Sequence, residues 1–136
     1  LSFPEITDER NKAYASRILS SQSIGIHIRR GDYVDIGWAL ADTYYLKSME
    51  KLTKEHPSAV FFVFSDDIAW CRTNSEALGL TLSPNIVFIE GNTQGSNYID
   101  LQLMSMCSGL LMSNSAFCFL AALLNRRLQF CIEPPR

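Results

Sequence analysis

Ala59-Val60-Phe61-Phe62-Val63-Phe64 is a nearly unbroken apolar run. A strand with one wet face alternates apolar and polar residues, whereas a strand buried on both faces of a parallel sheet reads as a continuous run rich in β-branched and aromatic side chains. Pro57 ends any helix before the run, and Asp66 or Asp67 can start another after it. The stretch therefore reads as a central strand set between two helices.

Outward from it the same rhythm repeats. Upstream, Asp42 can cap a helix reaching His56, with Tyr45, Met49 and Leu52 as its apolar stripe and Lys47, Lys51 and Lys54 turned to solvent. Ser23 to Ile28 reads as a strand, and a glycine-containing loop joins it to that helix. The chain opens on a helical period with Ile6, Ala13, Tyr14, Ile18 and Leu19 near one face and Thr7 or Asp8 as the cap. Downstream come a strand at Asn85 to Ile89, a helix at Tyr98 to Cys107, a strand at Gly109 to Met112, a helix at Ser115 to Leu124 and a last strand at Phe130 to Ile132. This alternation predicts an α/β fold, a Rossmann-like parallel sheet with helices on both faces and right-handed crossovers. At 136 residues the chain holds one domain.

Twelve basic residues stand against 14 acidic ones, for a net charge of −2. No basic stripe marks the sequence, which argues against a nucleic-acid partner. Cys71, Cys107, Cys118 and Cys131 form no CxxC pair and only two histidines accompany them, so no metal site is expected. Three of these cysteines lie in apolar stretches, where a reduced thiol packs as a small hydrophobe, and this suits a reducing compartment. The apolar stretch from Gly109 to Leu124 is broken by Ser113, Asn114 and Ser115, short of the roughly 20 residues that span a bilayer. A start at Leu1 and an end at Glu133-Pro134-Pro135-Arg136 suggest a piece of a longer protein.

In open parallel sheets, ligands bind beyond the carboxyl ends of the strands. Here those ends carry Arg29-Arg30-Gly31-Asp32, Ser65-Asp66-Asp67, Glu90-Gly91-Asn92 and Ser113-Asn114-Ser115. Two adjacent guanidiniums are costly to bury without an anionic partner. Alternation would send them to opposite faces, one toward a phosphate and the other toward a carboxylate such as Asp32. A bound phosphate and a structural ion pair explain them equally well. His27 falls on the face of Arg29, where a hydrogen-bonded structural role suffices to explain it. Asp66 and Asp67 can serve a ligand or cap a helix. Ser113-Asn114-Ser115 offers hydroxyl, amide and helix-start N–H groups that suit a diphosphate. The GxxxxGK[ST], GxGxxG and GxSxG motifs are absent, which removes the main support for nucleoside triphosphatase, dinucleotide and serine-hydrolase readings.

Ile26-His27-Ile28-Arg29-Arg30-Gly31-Asp32-Tyr33-Val34 resembles the first signature of glycosyltransferase family 11, the α-1,2-fucosyltransferases. Phe61 to Asp67 with Trp70, Asp100 to Cys107, and Met112 to Phe117 follow in the family's order. The resemblance runs from about Ile24 to Asn125 and implies the donor-binding half of a GT-B-like, inverting transferase, with the acceptor-side half missing. It makes Arg30 the contact to the β-phosphate of GDP-fucose and the group that stabilises the leaving GDP, with Arg29 in support. It places His27 and Asp100 near the guanosine and Asn114 and Ser115 beside the diphosphate, and it counts Asp32, Asp66, Asp67 and Phe117 with the donor-binding residues. The family's Asn-Ser-Ser-Phe-Ser-Trp-Trp stands here as Asn114-Ser115-Ala116-Phe117-Cys118-Phe119-Leu120, losing one hydroxyl and two large rings. Asp35 is the candidate base.

The implied reaction moves L-fucose from GDP-fucose to the 2-hydroxyl of a terminal galactose on a glycan, with no metal or other cofactor. The alternatives are an α-1,6- or protein O-fucosyltransferase, or a nucleotide-binding domain without activity of its own. The expected setting is the bacterial cytoplasm, with the inner membrane face or, for a eukaryotic enzyme, the Golgi lumen as other settings.

Overall fold

Phe61 and Val63 pack into one hydrophobic cluster while Phe62 and Phe64 pack into another, so the apolar run Ala59 to Phe64 is buried from both sides. Full burial of each such side chain stabilises the fold by about 1.5–3 kcal/mol relative to exposure. The computed structural model describes residues 3–93, 95 and 97–135. Its strands are β1 (Ser23–Ile28), β2 (Val60–Ser65), β3 (Ile86–Phe88), β4 (Gly109–Leu111) and β5 (Phe130–Ile132). The helices are α1 (Glu9–Leu19), α2 (Gly31–Asp35), α3 (Asp42–Glu55), α4 (Ile68–Thr73), α5 (Asn97–Met104) and α6 (Ala116–Leu124).

All strand pairs are parallel and the sheet order is β3-β2-β1-β4-β5. Tyr45, Met49 and Leu52 of α3 and Cys71 of α4 cover one face. Ile18 of α1, Leu103 and Met104 of α5, and Cys118 and Ala121 of α6 cover the other. The sheet is thus the two-sided Rossmann-like arrangement expected. Toward one edge of the sheet β4 approaches β5 closely at Gly109, where a Cβ would lie 2.4 Å from the Phe130 ring.

Several local expectations change. Ala41, not Asp42, occupies the cap of α3, and no side chain caps it; Asp42 instead places its charge in the first turn, where the helix dipole favours it. Ala13 and Leu19 are exposed on α1, because the buried stripe is narrower and runs through Asn11, Tyr14, Ala15 and Ile18. The loop after β1 contains the short helix α2; five residues are too few for a 3.6-residue period to register in sequence. Cys71, Cys107 and Cys118 are buried and Cys131 is exposed, and all four are free thiols. No helix among the described residues is long and apolar enough to cross a membrane.

Candidate functional site

From β1 the chain builds outward to β2 and β3 on one side, then crosses back past β1 to β4 and β5 on the other. A crevice opens outside the carboxyl ends of strands at such a reversal. Here it is a cavity of about 530 Å³ lined from β1, β2, the segment after β3, α5 and the start of α6. That volume is in the range of small-ligand pockets.

At one end the cavity is charged. β1 stops at Ile28, and Gly31 turns the chain with φ +38°. A side chain at Gly31 would be strained by that φ, and its Cβ would meet Asp66 Oδ2 at 2.5 Å. This close approach lets Asp66 take the Arg30 backbone N–H at 2.8 Å and Arg29 Nη1 at 2.9 Å. Arg29 Nη2 donates to Asp32 at 2.6 Å, and the guanidinium also lies 5.0 Å from the Tyr33 ring centre. Arg30 goes the other way: its guanidinium lies 3.5 Å from the centre of the Trp70 ring. Its buried Nε has no hydrogen-bond partner among the described residues. The two guanidiniums do separate, but past the strand end rather than within it.

The start of α6 borders the same cavity. Ser115 caps the helix through the Phe117 N–H, and its own N–H donates to Ser113 Oγ at 3.2 Å. Ser115, Ala116 and Phe117 all line the cavity.

The other end is buried and has few charges. His27, 5% exposed, stacks on Phe117 with ring centres 5.4 Å apart. Its Nδ1 lies 2.7 Å from Ser113 Oγ. Burial, reinforced by the nearby Arg29 charge, holds its pKa down to about 4, so the ring is neutral near pH 7. Asp100, 8% exposed, accepts from Asn92 Nδ2 at 2.9 Å. Burial pushes its carboxyl up to about 6, against the lowering effect of that hydrogen bond.

Of the residues singled out in the sequence, the structure brings His27, Arg29, Asp66, Asp100, Ser115 and Phe117 to the cavity wall. Asp32 lies behind Arg29 as its ion-pair partner. Arg30 is placed over Trp70, outside the lining. Asp67 caps α4 by accepting the Trp70 N–H at 3.1 Å. Asn114 donates to the Trp38 carbonyl at 2.9 Å, and Asp35 is exposed; neither lines the cavity. Tyr33, Ser65, Asn92, Thr93, Asn97 and Ala116 complete the wall without having been named as site residues. Position at strand ends was the available signal for Ser65 and Asn92. Among the described residues, no group of three or more His, Cys, Asp or Glu is placed to hold a metal ion.

The sequence profile of glycosyl transferase family 11 matches residues 7–134. The chain belongs to that family. It is 38% identical over 130 residues to the α-1,2-colitosyltransferase of Escherichia coli, an alignment covering 90% of this chain and 43% of that protein. It is 35% identical over 111 residues to mouse galactoside α-(1,2)-fucosyltransferase 2, covering 76% of this chain and 30% of the mouse protein. The chain thus spans less than half the length of these relatives. Among solved structures, the fucosyltransferase NodZ from Bradyrhizobium superposes with a TM-score of 0.54 at 21% identity, covering 85% of this chain and 40% of NodZ. NodZ α-1,6-fucosyltransferase co-crystallised with GDP gives 0.55, also at 21% identity. This likeness shows the fold, that of one Rossmann-like half of a GT-B-like architecture.

Proposed function

We propose that this family 11 chain is the donor-binding part of an inverting α-1,2-fucosyltransferase, which moves L-fucose from GDP-fucose to the 2-hydroxyl of a terminal galactose on a glycan. The observation that carries the reading is one cavity that joins buried polar groups, Asp100 and His27, to the part-exposed charges of Arg29 and Asp66 and the start of α6. A nucleoside diphosphate likewise joins a polar base to charged phosphates. With Ser113 donating to Nδ1, neutral His27 carries its proton on Nε2 and offers a donor to a base, while ionised Asp100 offers an acceptor. Guanine, with N–H donors beside a carbonyl oxygen, suits such a pair.

At the phosphate end, the groups already paired with Arg29 are exchangeable. Arg29 and Asp66 are about 30% exposed and Asp32 is 69% exposed, and ion pairs in such settings contribute about 0.2–1 kcal/mol. A charge-assisted hydrogen bond to phosphate is worth about 1.5–3 kcal/mol, enough to redirect the guanidinium. In the transfer step the acceptor oxygen bonds to the anomeric carbon, and the bond from that carbon to the β-phosphate oxygen breaks. GDP leaves with the electron pair, and the hydroxyl proton passes to a base. Arg29 in the cavity, and Arg30 once its guanidinium leaves the Trp70 ring, stabilise the developing charge on GDP, without a metal. Asp35, exposed at the end of α2, is the carboxylate assigned to the proton; loss of kcat with unchanged KM in Asp35→Asn tests that role.

The colitosyltransferase relative supports a second donor reading, GDP-colitose in place of GDP-fucose. The four free thiols agree with a bacterial cytoplasmic setting, and the mouse relatives keep a Golgi lumen as the alternative. Calorimetric titration with GDP, GDP-fucose, ADP and UDP, with and without EDTA, tests the site. Metal-independent binding selective for guanine is the expected result; equal affinity for UDP, or binding that needs magnesium, overturns it.

A further inference from the structure

Asn11, on α1, is 3% exposed and faces the segment that follows β3, away from the charged end of the cavity. A buried primary amide must place four hydrogen-bonding groups, and the orientation of an amide is set by its partners. The anchor here is Asp8, the cap of α1. Ionised, its carboxylate only accepts, and Oδ2 takes both the Asn11 backbone N–H at 3.1 Å and Asn11 Nδ2 at 2.9 Å.

That choice propagates. With Nδ2 directed to Asp8, its second hydrogen reaches Asn92 Oδ1 at 2.9 Å, and Asn11 Oδ1 accepts from Asn92 Nδ2 at 2.8 Å. Asn92 Nδ2 then spends its remaining hydrogen on Asp100 Oδ1 at 2.9 Å. A flipped Asn92 would set carbonyl against carbonyl at Asn11 and oxygen against oxygen at Asp100. The backbone around Asn92 is held from the same helix: Tyr14 Oη donates to the Phe88 carbonyl and accepts the Glu90 N–H, and Arg10 donates to the Glu90 carbonyl.

We propose that Asn11 is a specificity-positioning residue, which acts through Asn92 to commit Asp100 Oδ1 to the protein and leave Oδ2 to read the ligand. This deepens the donor-site reading and rests on it for the identity of the ligand. The relay itself predicts a property of the free chain, because losing the Asn92 hydrogen bond removes stabilisation from the Asp100 carboxylate. The other charged or titratable groups around Asp100 are His27, Arg29 and Asp66 in the shared cavity, Asp8 and Arg10 on α1, and Glu90 ahead of Asn92. Of these, Asp8 is the one that touches Asn11, and the hydrogen bonds from Asn11 hold the Asp8 carboxyl below the usual range.

The experiment follows the Asp100 carboxyl carbon by NMR through a pH titration in the wild-type chain, Asn11→Ala and Asn92→Ala, together with affinities for GDP and UDP. Asp8→Ala, at an exposed position, serves as a milder variant where loss of the buried amide prevents folding. The expected result is an upward move of the Asp100 midpoint in each folded variant and a several-fold fall in the GDP:UDP affinity ratio, with UDP affinity unchanged in Asn11→Ala and Asp8→Ala, which lie outside the cavity lining. A merely structural Asn11 would lower thermal stability and move neither quantity. Folded variants that keep the wild-type midpoint overturn the relay. A moved midpoint in a chain whose wild type does not prefer GDP leaves the relay standing and sinks the donor-site reading.

Discussion

The buried and the part-exposed groups that line the cavity differ in their physics. At the Asp100 and His27 end, both side chains are buried and each is held by a neutral partner, Asn92 or Ser113. Poor solvation there moves both pKa values, and an unmatched ligand group leaves a polar atom stranded. At the Arg29 end the charges are part-exposed, paired with one another and cheap to re-pair. The buried end should therefore set which nucleotide binds, and the exposed end how firmly its phosphates are held.

The largest effect expected from this division is in Asp100→Ala. Removing the carboxylate strands one or two guanine N–H groups at about 1.5–3 kcal/mol each, so GDP affinity should fall at least about tenfold and up to roughly ten-thousandfold. UDP affinity should change little. Calorimetry on a variant shown folded by circular dichroism decides the matter, and equal losses for GDP and UDP would erase the distinction between the ends.

Asp100→Asn separates recognition from stability at the same position. The folded-state pKa of Asp100 is raised from 3.8 to about 6, so the native state favours the protonated carboxyl. Its contribution is complete below about pH 4 and is lost as pH rises through about 6. A shift of about two units corresponds to a ceiling of about 3 kcal/mol, and the neutral amide escapes that loss. The variant should thus be more stable than wild type at pH 7 by up to this amount, with the gain vanishing near pH 4, while binding GDP worse. His27 has the opposite slope: its depressed pKa means stability is lost as pH falls from about 6.5 toward 4. Melting temperatures from pH 4 to 8 separate the two.

Arg29→Lys and Arg30→Lys probe the charged end. A lysine keeps the charge and loses the planar fork, so loss of one charge-assisted bond at about 1.5–3 kcal/mol predicts a tenfold to hundredfold fall in GDP affinity, and in turnover in the full-length enzyme. The substitution that causes it identifies which guanidinium meets the phosphate. Wild-type behaviour in both variants would make the arginine pair structural.

Why the sequence shows some of this and hides the rest follows from distance along the chain. The run Ala59 to Phe64 reports two-sided burial because its pattern is local, and β1 is legible from Ser23 to Ile28 for the same reason. The Arg29-Arg30 pair marks the charged end by composition alone, yet which arginine faces the cavity depends on Gly31, Asp66 and Trp70, the latter two about 40 residues away. Asn92 is harder still. An asparagine after a strand looks like any turn residue, and its hydrogen bonds to Asn11, 81 positions distant, appear only in the folded chain. The resemblance to family 11 carries His27 and Asp100 to the site, since no periodicity distinguishes a ligand-reading polar residue from one that is merely buried.

The smallest effect is expected from Asp32→Ala, and its sign is informative. Asp32 is 69% exposed and meets Arg29 from outside the cavity wall, so their pair contributes about 0.2–1 kcal/mol to stability, and the melting temperature should fall by a few degrees at most. Removing the carboxylate leaves Arg29 with Asp66 alone, so an incoming diphosphate has one competitor fewer. GDP affinity should stay level or rise by up to about fivefold, the equivalent of the same 1 kcal/mol. The difference from wild type should shrink in high salt, as befits an exposed charge, and GDP:UDP selectivity should be untouched because both share the diphosphate. Titrations of both nucleotides at low and high ionic strength measure all three quantities. A tenfold loss of GDP affinity instead would mean that Asp32 holds Arg29 in its binding pose or touches the donor itself, and the exposed end would then be as finely built as the buried one.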